Sequence, residues 1–258
     1  MSQENKDMIV NTSKLDVTNT WPKECEIGLI KTMNSMGIMT SELSPLAVEF
    51  IEQAKHTIKP ILDIGAAYGV TTHPALYSGA KVIACDISKT HLEILKNTAP
   101  KDTEKRLTLT QASFPFETNF NSSSIGCILI SLVLHFLDGE TTEIGLKKCY
   151  DWLEPGGKIY LVVMTPNLSF YKKAWPEYRK NIAKGRKWPG IFETRDLVTN
   201  DIIDFLPPMV HLFEKNILER AVKAAGFEIE RSCYFCYKNF PDIHRNNGKE
   251  FLGVVGVK

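Results

Sequence analysis

After Pro60 the chain alternates short apolar runs with segments of helical periodicity. ILDIG (61–65), KVIACDI (81–87), LTLTQA (107–112), CILISLV (127–133) and KIYLVVM (158–164) read as five strands. His73–Ser78, His91–Thr98 and Thr141–Leu153 are the helix-compatible segments between them. Apolar strands alternating with helices are what a parallel sheet covered on both faces requires. The helical stretch LFEKNILERAVKAAG (212–226) leads into a sixth strand, GFEIERS (226–232), and FLGVVGVK (251–258) supplies a seventh. The predicted fold class is therefore α/β: a doubly wound, mostly parallel seven-stranded sheet with helices on both faces.

Two regions stand outside this alternation. Residues 1–20 are polar and are expected to form a flexible tail, followed by N-terminal helices over 21–58. Ile27, Ile30 and Met33 recur at helical spacing between Glu24 and Ser35. A second helix is expected from Pro45, with Ser44 as its cap and Ala47, Val48 and Ile51 on its buried side. Residues 165–211 form an insertion after the fifth strand, expected to act as a lid. No internal repeat or low-complexity linker divides residues 1–258, which read as a single domain.

Composition narrows the classes of function. The chain has 258 residues, 31 Lys+Arg, 30 Asp+Glu and a formal net charge of +1. Near-neutrality argues against a dedicated nucleic-acid binder, which carries a basic face. The charge is unevenly spread, however. FYKKAWPEYRKNIAKGRKWPG (170–190) has seven basic residues against Glu177 alone, a local charge of +6, which leaves −5 for the rest. Tyr171, Trp175, Tyr178 and Ile182 recur in it at helical spacing, with Pro176 inside the run. An aromatic face toward a substrate, flanked by bases that gather an anionic group, is one reading; Tyr171, Trp175 and Arg179 are its candidate contacts. A packed helix with a solvated basic face is another, and binding of nucleic acid through stacking and phosphates, or a place at a membrane surface, are two more.

The six cysteines, at 25, 85, 127, 149, 233 and 236, read as free thiols of a reducing compartment. Cys233-x-x-Cys236 lacks a second ligand pair, so no metal site is expected. MSQENKDMIVNTSKLD has no apolar core, so no secretory signal is expected. The longest apolar stretch, ILISLVLHFL (128–137), is far short of the roughly 20 residues of a membrane helix. The expectation is a cytoplasmic protein with no transmembrane segment.

The most informative stretch is KPILDIGAAYGVTTHPAL (59–76). A strand carrying Asp63 turns through Gly65, Ala66, Ala67, Tyr68 and Gly69 into a helix. Small residues admit a ligand close to the backbone, and the helix start offers free N–H groups. The second strand ends at Asp86, 21 residues after Gly65, where a carboxylate can accept ribose hydroxyls. The spacing is D-x-G-x-A-x-G rather than the G-x-G-x-x-G of dinucleotide enzymes, which disfavours an NAD-linked oxidoreductase.

At these residues the chain resembles the class I S-adenosylmethionine-dependent methyltransferases, whose fold is Rossmann-like. ILDIGAAYG is similar to their first motif, with Ala67 in place of the middle glycine, and VIACDIS (82–88) to their acidic second motif. SLVLHFL (131–137), LEPGGKIYLVV (153–163) and AAGFEI (224–229) follow in the family's order. The resemblance implies S-adenosyl-L-methionine as cofactor and S-adenosyl-L-homocysteine as product. Asp63, Gly65, Ala66, Ala67 and Gly69 would line the methionine end, Asp86 would hold the ribose, and Ile87 would lie against the adenine. Ser113, followed by Phe114, stands where the family often has an acid on the adenine amino group. Ser131 would sit beside the cofactor. Ile125-Gly126 replaces the Phe-Asp of many members.

Methyl transfer is an in-line displacement that depends chiefly on proximity, with a general base optional. His135, after the fourth strand, is the best base candidate; His211 and Tyr68 are weaker ones. The expected activity is methyl transfer to a small-molecule acceptor at O, N or C, with an anionic acceptor among the candidates. A non-catalytic cofactor-binding protein acting through a partner, and an RNA or protein methyltransferase, are the alternatives.

Overall fold

A computed structural model describes residues 29–34, 36–198, 203 and 206–258. The expected tail, Cys25 and the first part of the first helix lie outside these residues.

Seven strands make the central sheet. They are β3 (Ile61–Ile64), β4 (Val82–Asp86), β5 (Leu107–Gln111), β6 (Ile125–Ser131), β7 (Leu153–Met164), β10 (Glu228–Phe235) and β11 (Phe251–Val257). Their order is β10-β11-β7-β6-β3-β4-β5, and only β11 runs against its neighbours. The sheet is thus doubly wound, and its order reverses between β3 and β6. Ligands bind outside the carboxyl ends of the strands at such a point.

Alternation along each strand builds two cores. Leu62, Ile64, Ile128 and Ile130 point to one face, where α4 (Gly139–Trp152) and α7 (Lys215–Ala224) bury Leu146, Trp152 and Leu218. Ile61, Cys127 and Leu129 point to the other. That face is covered by α1 (Pro45–Ala54), through Leu46, Phe50 and Ile51, and by α2 (Thr72–Tyr77), through Leu76. On the same side α3 (Lys89–Thr98) packs Leu95 against Ala84. Ser44, Ser88 and Asp138 cap α1, α3 and α4 by accepting from Ala47, His91 and Thr141 N–H groups. Each cap contributes about 1 kcal/mol to its helix.

Gly126, a departure from the family pattern, has a packing cause. A Cβ there would lie 2.1 Å from Thr57 Oγ1, on the segment between α1 and β3.

The N-terminal expectation is corrected in its described part. From Leu29 the chain forms a short hairpin, β1 (Ile30–Lys31) paired antiparallel with β2 (Ile38–Met39), and not a helix reaching Ser35. Tertiary bonds override the helical spacing: the Met33 N–H points to Tyr68 Oη at 3.1 Å and His91 Nε2 at 3.2 Å.

The insertion after β7 holds α5 (Ala174–Ala183), strand β8 (Ile191–Glu193), the short α6 (Thr194–Leu197) and strand β9 (Met209–His211), which pairs with β8. Pro176 falls in the first turn of α5, where a missing N–H costs nothing. Tyr171, Ala174 and Tyr178 are buried in a third apolar cluster shared with Leu29, Tyr237 and Phe240. Ile182 was expected on that face but is 51% exposed, because the helix presents Asn181 inward instead.

Candidate functional site

The turn between β3 and α2 is built by strain and close approach. Gly65 has φ +77°, and a Cβ there would lie 2.2 Å from Val133 Cγ2. Ala67 has φ +43°, a left-handed conformation that favours glycine, and its N–H donates to Asp86 Oδ2 at 2.9 Å. Asp63 is buried behind the turn and accepts from Thr72 Oγ1 at 2.7 Å. Burial pushes its carboxyl up to about 6.

Asp86 anchors the second side. Oδ1 accepts from Ser88 N–H at 2.8 Å and faces His91 Nδ1 at 3.2 Å. A carboxylate has about four lone-pair directions, so these three partners leave room for a ligand hydroxyl. The Met33 N–H can only donate, so His91 Nε2 accepts from it and the ring proton sits on Nδ1, directed at Asp86.

One cavity of about 440 Å³ opens at this end of the sheet. Asp63, Gly65, Ala66, Ala67 and Asp86 line it, as do Ile87, Ser113, Phe114 and Ser131. Gly69 does not line it; a Cβ there would meet His73 Nε2 at 2.6 Å, so this glycine serves the packing of the turn. The acid absent at Ser113 stands four residues on, as Glu117, whose Oε2 accepts from Ser113 N–H at 2.7 Å.

His135 also lines the cavity, on the turn after β6, with its ring 3.9 Å from that of Phe136. Burial, reinforced by His211, pulls its pKa down to about 3, and Nδ1 has no hydrogen-bond partner. Such a ring is neutral at physiological pH: it can accept a hydrogen bond but holds a proton poorly. His211 Nδ1 lies 3.0 Å from Leu137 O, away from the cavity, with its pKa lowered to about 4 by burial. Tyr68 is spent on the hairpin, accepting from Met33 N–H and donating to Lys31 O at 3.2 Å.

Of the three expected acceptor contacts, only Tyr171 lines the cavity. Arg179 stacks on Trp175 at 5.6 Å, outside it. No Lys or Arg is found among the described residues that line it; the charged groups there are Glu42, Asp63 and Asp86. This runs against the expectation of an anionic acceptor.

Two contributors escaped the sequence. The hairpin supplies Thr32, Met36, Ile38 and Met39 to the cavity wall. Tyr237, which follows β10, supplies a buried phenol ring to the wall. Its only sequence signal was the alternation of CYFCY.

Residues 61–157 match a family model described as a methyltransferase domain. A curated relative, the tRNA N(3)-methylcytidine methyltransferase Mettl2 of Drosophila melanogaster, is 34% identical over 127 residues. That match covers 45% of this chain and 37% of the relative, so little more than a third of the relative's length is represented. A solved S-adenosylmethionine-dependent methyltransferase from Methanosarcina mazei superposes with a TM-score of 0.63 at 19% identity, covering 84% of this chain and 98% of that one. The Burkholderia thailandensis 1,6-didemethyltoxoflavin-N1-methyltransferase, solved with its substrate and S-adenosylhomocysteine, gives 0.54 at 15% identity, over 83% and 78%. The matched segment and the strand order agree: residues 61–157 match a methyltransferase domain, and the sheet has the fold of the solved S-adenosylmethionine-dependent methyltransferases.

Proposed function

We propose that the protein transfers a methyl group from S-adenosylmethionine to a small-molecule acceptor. The observation that carries this is a single cavity lined both by the glycine turn with Asp86 and by side chains of the hairpin and the insertion. A donor and an acceptor can share it.

The cofactor, when bound, supplies an electrophilic methyl group on a positively charged sulfonium. The chain does the rest. Asp86 would accept from the ribose hydroxyls, and Asp63 would lend negative charge toward the ligand's ammonium. The walls hold the nucleophile in line with the departing sulfur; such positioning is worth on the order of 7–11 kcal/mol in favourable systems. An acceptor held by these walls would offer its lone pair to that methyl group, the carbon–sulfur electron pair remaining on sulfur. The acceptor's proton passes to solvent, with neutral His135 as a hydrogen-bond acceptor on the way.

The test is calorimetric titration followed by a transfer assay with a metabolite extract. Binding of S-adenosylhomocysteine, and turnover that needs the extract, support the reading. Binding without turnover on any fraction would favour the non-catalytic alternative.

A second reading is an RNA acceptor. The similarity to the tRNA methyltransferase and the exposed basic residues of 170–190 favour it. Two of those seven, Lys180 and Lys187, already pair with Glu177 and Glu143. Transfer to bulk tRNA that exceeds transfer to the small-molecule fraction would establish it.

A further inference from the structure

The cavity has a second half that the cofactor turn does not build. Three segments remote in sequence meet there: the β1–β2 hairpin with Met36, Ile38 and Met39, the start of the insertion with Phe170, and the β10–β11 connection with Phe240. The aromatic rings are held by neighbours rather than free to collapse. Phe170 stacks on His244 at 3.8 Å, and Phe240 meets the edge of Phe251 at 5.2 Å. His244 is buried, with Nε2 unpartnered.

The charge in this half is as telling as its shape. Glu42 accepts the N–H groups of Lys238 and Asn239 at 2.7 and 2.8 Å, so its carboxylate clamps the connection to the N-terminal segment. No cation lines the wall among the described residues. A carboxylate or phosphate entering would lose its hydration with no charged donor to replace it, beside Glu42. A protonated amine would be tolerated but has no lone pair to methylate.

We propose that this half binds an uncharged, aromatic or otherwise apolar small molecule that presents a neutral nitrogen or oxygen nucleophile, and that it rejects anions. This rests on the methyl-transfer reading and names its substrate class. Dispersion contacts with the fixed rings and the methionines supply the affinity, and Glu42 with the lack of a cation disfavours an anionic competitor. The basic residues of 170–190 play no part in acceptor selection.

The test uses the full chain and a matched pair of probes, quinoline and quinoline-2-carboxylate. Calorimetric titration of each is run with and without saturating S-adenosylhomocysteine. The expected result is that quinoline binds at least about tenfold more tightly than the carboxylate, a difference of ~1.4 kcal/mol. Met39→Lys places a cation in the wall, where Met39 is only half-buried, and is expected to raise carboxylate affinity about tenfold with S-adenosylhomocysteine affinity unchanged. Equal or tighter binding of the carboxylate by the unaltered chain overturns the proposal, as does no binding of quinoline. Failure of S-adenosylhomocysteine to bind sinks the methyl-transfer reading instead, and the probe ratio of the free chain is still read separately.

Discussion

His91 Nδ1 stands 3.2 Å from Asp86 Oδ1, and the opposite nitrogen of the same ring takes the Met33 N–H. The imidazole therefore links Asp86 to the hairpin that lines the other half of the cavity. A neutral hydrogen bond is worth about 1 kcal/mol net, and one to a charged group up to ~3 kcal/mol.

His91→Ala should weaken S-adenosylhomocysteine binding about tenfold, through a less well oriented Asp86 and a loosened hairpin. His91→Gln, able to donate to Asp86, should recover part of it. Calorimetry on the two variants checks this; unaltered affinity in His91→Ala would show that the link positions nothing.

Ala67 tests the turn itself. Its φ of +43° costs a residue with a Cβ about 1–2 kcal/mol, partly offset in glycine by a larger loss of chain entropy. Ala67→Gly should be neutral or stabilising by up to ~1 kcal/mol, whereas Ala67→Val should destabilise by ~1–3 kcal/mol. Urea unfolding curves measure both, and an Ala67→Val protein as stable as the parent would contradict the geometry.

The seven strands could be read from the sequence because apolar runs such as CILISLV bury both faces of a sheet, and period-two alternation sorts Cys127 and Leu129 from Ile128 and Ile130. Asp63 and Asp86 were legible because a strand end followed by a small-residue turn leaves few places for a carboxylate. The hairpin was not. Its two strands are two residues each, and what fixes Met33 lies 35 and 58 residues away. Trp175 and Arg179 were misassigned for a related reason. The apolar stripe of α5 is centred on Ala174 and Tyr178, so Trp175 sits at its edge and Arg179 beyond it.

Acid should destabilise the protein through its buried imidazoles. The pKa of His135 is about 3 and that of His211 about 4, against an ordinary 6.5, so both are preferred neutral in the folded state. Stability is therefore full above pH 6.5 and falls as pH drops below it, because unfolding frees the rings to take protons. His135→Phe removes one such group and should make the decline of melting temperature between about pH 6.5 and 4 shallower. An unchanged slope would mean that the ring is charged in the fold.

Asp63 acts in the opposite sense. Its carboxyl is raised from 3.8 to about 6, so the fold prefers it protonated and loses stability as pH rises from about 4 through 6. Two units correspond to about 3 kcal/mol. Asp63→Asn, which can still accept from Thr72, should gain stability at pH 7 and lose the pH dependence of ligand affinity near 6. In the parent, S-adenosylhomocysteine should bind less well as pH falls through about 6, since its ammonium then loses a charged partner. Identical pH profiles for the two proteins would remove Asp63 from the methionine end.

The central claim is that Asp86 and the glycine turn hold S-adenosylmethionine. Calorimetric titration of S-adenosylhomocysteine into the parent and Asp86→Ala proteins, each checked for its melting transition, tests it most directly. The account predicts one equivalent bound by the parent and roughly a hundredfold weaker binding by the variant, as expected for lost hydrogen bonds to a charged group. No binding by the parent at millimolar ligand, or equal affinity in a folded Asp86→Ala protein, would contradict it.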